Sequence, residues 1–93
     1  MFIKRQMTIT HYDFFRILPK ALGSNNYIID GCVITCQDAH CFMRIILSPE
    51  RRWVVAGLEL PVTDVEITIN GCDDREANQV LKRFERSFQK GGG

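Results

Sequence analysis

Between Asp73 and Lys90 the apolar residues Ala77, Val80, Leu81, Phe84 and Phe88 recur at i, i+3, i+4, i+7 and i+11, the series that lines one side of a 3.6-residue period. Arg75, Glu76, Asn78, Gln79, Lys82, Arg83, Glu85, Arg86 and Lys90 fill the other sides, so the pattern predicts an amphipathic helix. Asp73 followed by Glu76 gives it a capping-box-like start whose carboxylates also suit the helix N-terminal partial charge. Just upstream, Val65, Ile67 and Ile69 alternate with Glu66, Thr68 and Asn70, which predicts a half-buried strand. The apolar sides of strand and helix must bury each other.

A second helix is expected from His11 to about Leu22. Thr10 and Asp13 resemble a capping box, and Phe14, Phe15, Ile17, Leu18, Ala21 and Leu22 supply a broad apolar side. Pro19 predicts a kink or restart within it, because proline lacks an N–H and disfavours helical geometry at Leu18. Gly23 then stops it, ahead of a polar loop at Ser24-Asn25-Asn26.

Short strands are expected at 27–29 and 32–34, joined by a two-residue turn at Asp30-Gly31. Gln37-Asp38-Ala39 reads as the next turn. His40 to Leu47 is apolar almost throughout, as in a central strand covered on both faces. Ser48-Pro49-Glu50-Arg51 reads as a turn, followed by a strand from Trp53 to Leu60. Leu58 and Leu60 are even-numbered while Val65, Ile67 and Ile69 are odd, so something between must reset the register. Pro61-Val62-Thr63-Asp64 is assigned that role as a hairpin loop, in preference to an edge bulge. Gly91-Gly92-Gly93 ends the chain as a flexible tail, and residues 1–6 read as a loose leader. The expected fold is a single α+β domain over residues 1–93: an N-terminal helix, an antiparallel meander of four to five strands and a C-terminal amphipathic helix, with both helices on one face of the sheet.

Composition changes this picture little and limits the chemistry more. Ninety-three residues, 45% hydrophobic and 25% charged, suit one small core, and 12 basic against 11 acidic residues leave a net charge of +1, which exerts no long-range pull on nucleic acid or membrane. No stretch reaches the length of a membrane span or a signal-peptide core, which predicts a soluble cytoplasmic protein with no membrane partner. In a reducing compartment the four cysteines, Cys32, Cys36, Cys41 and Cys72, are expected as free thiols.

Cys32, Cys36, His40 and Cys41 form the densest set of metal-ligand types, the basis of an alternative thiol or metal-binding role. Along an extended strand, however, Cys32 and Cys36 stand roughly 13 Å apart at about 3.3 Å per residue, so metal is not the expected ligand and no cofactor is predicted. His11 and His40 lack a neighbouring carboxylate or nucleophile motif, and the aspartates sit at caps and turns, so catalysis is not expected either. Lys82, Arg83, Arg86 and Lys90 form a basic stripe that could meet phosphates, but Glu76 and Glu85 interrupt it and the helix dipole already favours late cations. Nucleic acid is therefore the second alternative. The helix–meander–helix outline resembles double-stranded RNA-binding domains, whose lysine-rich loop and helix start have no counterpart here. The terminal glycines resemble those of ubiquitin-like sulfur carriers, in which they follow a strand and not a helix.

The strands at 40–47 and 53–60 carry apolar groups on both sides, and two helices can cover only one face. Phe42, Arg44, Ile46, Trp53 and Val55 are therefore predicted to contact a protein partner, with a homodimer expected. The competing expectation is a small hydrophobic ligand site lined by Phe42, Ile46 and Trp53.

Overall fold

A computed structural model describes residues 1–23, 26–38 and 40–91. Ser24 and Asn25 of the expected loop, Ala39 of the expected turn and Gly92-Gly93 of the expected tail lie outside the described residues, as do the side chains of Asp38 and Lys90. The elements in chain order are β1 (Phe2–Met7), α1 (His11–Leu22), β2 (Tyr27–Asp30), β3 (Val33–Asp38), β4 (Cys41–Leu47), β5 (Arg51–Val55), β6 (Leu58–Asn70) and α2 (Asp74–Gly91). The fold is α+β, with a six-stranded antiparallel sheet ordered β1-β6-β4-β3-β2 and β5 added to the free half of β6.

Both helices form where the periodicity places them. The Thr10 hydroxyl accepts a hydrogen bond from the Asp13 N–H at 3.1 Å, and the Asp73 carboxylate accepts one from the Glu76 N–H at 2.8 Å, so each first turn has a capping partner for an otherwise orphaned donor. Gly23 closes α1 with φ 66°, a left-handed conformation natural to glycine. Pro19 does not restart the helix: α1 runs unbroken to Leu22, because the buried Ile17, Leu18, Ala21 and Leu22 anchor the turns on both sides of it. α2 continues through Gly91, one residue into the expected tail.

The helices share one face of the sheet and bring three aromatic rings together. Phe14 stacks on Phe88 with centroids 4.9 Å apart, and Phe84 lies 4.9 Å from Phe88. Against them pack Ile34, Cys36, Cys41, Met43, Ile45, Leu47, Val65, Ile67 and Ile69, one side of β3, β4 and β6. Thr63 is the one buried polar residue among those described, and its hydroxyl donates to the Ile9 carbonyl at 2.9 Å.

Five expectations are corrected. Residues 1–6 are not loose: β1 pairs with β6 from Phe2↔Thr68 to Met7↔Thr63, a partner 56 or more positions away that no local pattern announces. The first hairpin turn is Gly31-Cys32, not Asp30-Gly31, since Asp30 pairs with Val33. With φ 61° at Gly31 and no positive φ at Cys32, it follows the type II′ pattern. β4 is covered on one face only, with Phe42 and Arg44 exposed. Ser48 to Glu50 does not reverse the chain, because β4 and β5 follow one another along the same edge of β6. The reversal lies instead at Ala56-Gly57, with φ 52° and 80°, and Pro61 to Asp64 belong to a continuous strand.

The parity change seen in the sequence has a physical source in that junction. β4 pairs with β6 at Leu47↔Val65, whereas β5 pairs at Arg51↔Val62. The chain between spends one residue more than the partner strand, as a bulge does, and the side-chain parity of β5 is thereby reversed. Val62 and Thr63, adjacent and both fully buried, mark the point where the β5–β6 hairpin leaves the main sheet.

Candidate functional site

The sheet face away from the helices is uncovered. Register alignment sets Phe2, Thr68, Arg44, Thr35 and Ile28 in one row across five strands, and Lys4, Glu66, Ile46, Val33 and Asp30 in the next. A third row holds Asn70, Phe42 and Gln37. Five strands at about 4.8 Å spacing span roughly 19 Å. Ile28 is 71% exposed, Phe2 57% and Phe42 43%. Thr35, Thr68 and Ile46 between them are half-buried by their neighbours in the sheet.

The same face continues onto the hairpin. Alternation along β6 puts Leu58 and Leu60 on the side of Glu66 and Thr68, and Trp53 and Val55 pair with Leu60 and Leu58. Phe42, Arg44, Ile46, Trp53 and Val55, the residues predicted to meet a partner, therefore lie on one side of the sheet. What the sequence did not announce is that Trp53 and Val55 stand on a two-stranded arm in which every residue from Arg51 to Glu59 is exposed. The signal available was Gly57 inside an otherwise apolar run.

The cationic ends of the arm are neutralised locally. Arg51 Nη2 lies 2.8 Å from Asp64 Oδ1, and Arg52 Nη1 lies 3.8 Å from Glu59 Oε2. Exposed pairs of this kind contribute little to stability, but they leave the arm without net charge.

The remaining candidates are not gathered into one site. Cys41 is joined to Cys72 in a disulfide with Cα atoms 5.0 Å apart, which corrects the expectation of four free thiols. Cys36 is buried beside Met43, and Cys32 is exposed at the β2–β3 turn, at the opposite end of β3 from Asp38, which pairs with Cys41. His40 is exposed. Among the described residues no three His, Cys, Asp or Glu side chains are placed to hold a metal ion. His11 is half-buried, with Nε2 2.7 Å from the Ser48 carbonyl, and its backbone N–H donates to the Glu50 carboxylate, so it ties α1 to the β4–β5 link. Lys82, Arg83 and Arg86 are exposed on α2. A groove between the end of β1 and α2, lined by Arg5, Met7, Ile9, Glu85 and Phe88, lies away from Phe42, Ile46 and Trp53 and is crossed by an Arg5–Glu85 ion pair.

No protein-family model, curated protein or solved structure matches this chain. Among its described residues no helix is long and apolar enough to cross a membrane.

Proposed function

We propose that this chain is a protein-interaction module of the cytoplasm, without chemistry of its own, that binds a second copy or another protein through the open face of its sheet. The observation that carries the reading is the set of exposed apolar groups on one side of the sheet, Phe2, Ile28, Phe42, Trp53 and Leu58, held in register by the strands and set among Lys4, Arg44, Glu66 and the threonines Thr35 and Thr68. Large apolar side chains gathered on one side of a small domain and rimmed by polar groups mark an interaction surface. Arg44 and the threonine pair Thr35 and Thr68 fit an interface in which polar groups fix orientation around apolar anchors. In a reducing cytoplasm Cys41 and Cys72 stand as adjacent thiols, and the bond between them closes on oxidation.

The test is the mass of the native species in a gentle extract, followed by size-exclusion chromatography with light scattering for the wild type and Phe42→Glu. The native species is expected above the 10.7 kDa of one chain and heavier for the wild type than for Phe42→Glu, whose charge releases what the face holds. A native wild-type species of 10.7 kDa, or native species of equal mass in the wild-type and Phe42→Glu extracts, contradicts the reading.

A further inference from the structure

We propose that two copies of this chain join through the outer edge of β5, each arm lying antiparallel to the other about a two-fold axis at Trp53. This goes beyond the reading of the open face: the contact is an edge, and it leaves the face free for another partner.

The first observation is which strand edges are open. The Met1 and Ile69 backbones exchange N–H···O bonds, so the odd residues of β6 direct their backbone groups toward β1 and the even ones toward β4 and β5. In the arm, Leu58, Leu60 and Val62 are thus the residues bonded to Val55, Trp53 and Arg51. Arg52 and Val54 are left with N–H and C=O groups directed outward from β5.

Unprotected sheet edges recruit other strands, and proteins blunt them with charge, proline or brevity. The edge of β1 carries Lys4 and Arg5, and β2 has four residues. The outer edge of β6 in the arm carries Glu59 and Pro61, whose missing N–H falls on that side. β5 carries Arg51 and Arg52, each paired within its own chain with Asp64 or Glu59, and beyond them presents Trp53-Val54-Val55 without charge or proline, with Val54 70% exposed.

The second observation is the space beside that edge. The Leu47 N–H donates to the Cys32 carbonyl at 2.9 Å, which places the β2–β3 turn level with the end of β4. Beyond this point β5 has no neighbour where β3 and β2 flank β4. The vacancy is two strands, or about 10 Å, wide. The arm is also two strands wide. Rotation about an axis normal to the sheet at Trp53 drops each arm into the vacancy of the other copy.

Register and charge select this arrangement. With Trp53 opposite Trp53 of the second copy, Arg52 faces Val54 in each direction, and their outward groups form two doubly bonded pairs. A shift of the axis by one residue brings Ala56 or Glu50 into the pairing and loses strand contacts. The arginines of the two copies sit at opposite ends, and each is already neutralised by Asp64 or Glu59 of its own chain. Leu60, Trp53 and their two equivalents then form one apolar row, with the indoles adjacent in a non-hydrogen-bonded pair. An isolated two-stranded ribbon is marginal in water, and the pairing makes it four-stranded.

Sedimentation equilibrium from about 1 to 100 µM tests this, because a contact at the small end of specific interfaces dissociates in the micromolar range. The wild type is expected to reach twice its 10.7 kDa chain mass. Val54→Pro removes an outward N–H that the β5–β6 ladder does not use, so the fold is expected to persist, checked by circular dichroism, while dimerisation weakens at least tenfold. Phe42→Glu is expected to leave the dimer intact. Should Val54→Pro unfold, Trp53→Cys in a Cys32→Ser background replaces it: oxidation is expected to give a covalent dimer, and Leu58→Cys none. A wild-type monomer at 100 µM, a dimer that survives Val54→Pro in folded protein, or equal cross-linking at positions 53 and 58 overturns the proposal. Loss of the dimer in Phe42→Glu alone would move the contact from edge to face.

Discussion

Gly71 shows how one residue positions a whole corner of the molecule. Its φ is 86°, and a Cβ built on it would lie 2.7 Å from the His40 carbonyl oxygen, closer than any side-chain atom can be accommodated without moving backbone. That close approach lets Cys72 reach Cys41. Gly31, with φ 61° and open space around it, makes the same conformational demand without the contact. Gly71→Ala is therefore expected to lose on the order of 2 to 3 kcal/mol in urea unfolding, and Gly31→Ala about half as much. Equal losses at the two positions would remove the His40 contact from the account. Thr63 was legible in sequence only as a polar residue in a presumed loop; its full burial follows from a hydroxyl that finds the Ile9 carbonyl across the fold.

At the scale of elements, the Cys41–Cys72 bond ties the start of β4 to the loop before α2 across 31 positions of chain. Closing a loop of that length restricts the unfolded ensemble by about 3 to 4 kcal/mol. Cys72→Ser is expected to lower stability by that amount in oxidised protein and by little in the presence of a dithiol, measured by the same denaturation. A loss of similar size in both conditions would assign the effect to packing around Cys72. The two helices were readable because their signals are local: a 3.6 period, a cap three residues from its partner, a glycine stop. β1 was hidden because Lys4-Arg5-Gln6 interrupts its apolar alternation and its partner strand comes nearly sixty residues later. The arm was misread because Val54-Val55-Ala56-Gly57-Leu58 is apolar straight through its turn, and Ala56 does not advertise a φ of 52°. The predicted partner-contact residues could be named without the arm, because reversed parity after the β4–β5 junction returned Trp53 and Val55 to the face of Phe42 and Ile46.

The whole molecule is elongated, 45 by 25 by 20 Å, and exposes 5988 Å². That is about 500 Å² more than the scaling of area with mass gives for a monomer of this size. Two helices cover one side of the sheet and fill the only extensive core among the described residues. The other side and the arm are left with Phe2, Ile28, Phe42, Trp53, Val54 and Leu58 exposed. The central claim is that another protein chain, a second copy or a partner, covers what this chain leaves open. Hydroxyl-radical footprinting of the protein inside its own cells, compared with purified chain at about 1 µM, reads that cover residue by residue. Phe42, Trp53 and Leu58 are expected to be oxidised several-fold less in the cell, with exposed Tyr12 on α1 unchanged as the internal standard. Equal oxidation of all four residues in both states would contradict the account.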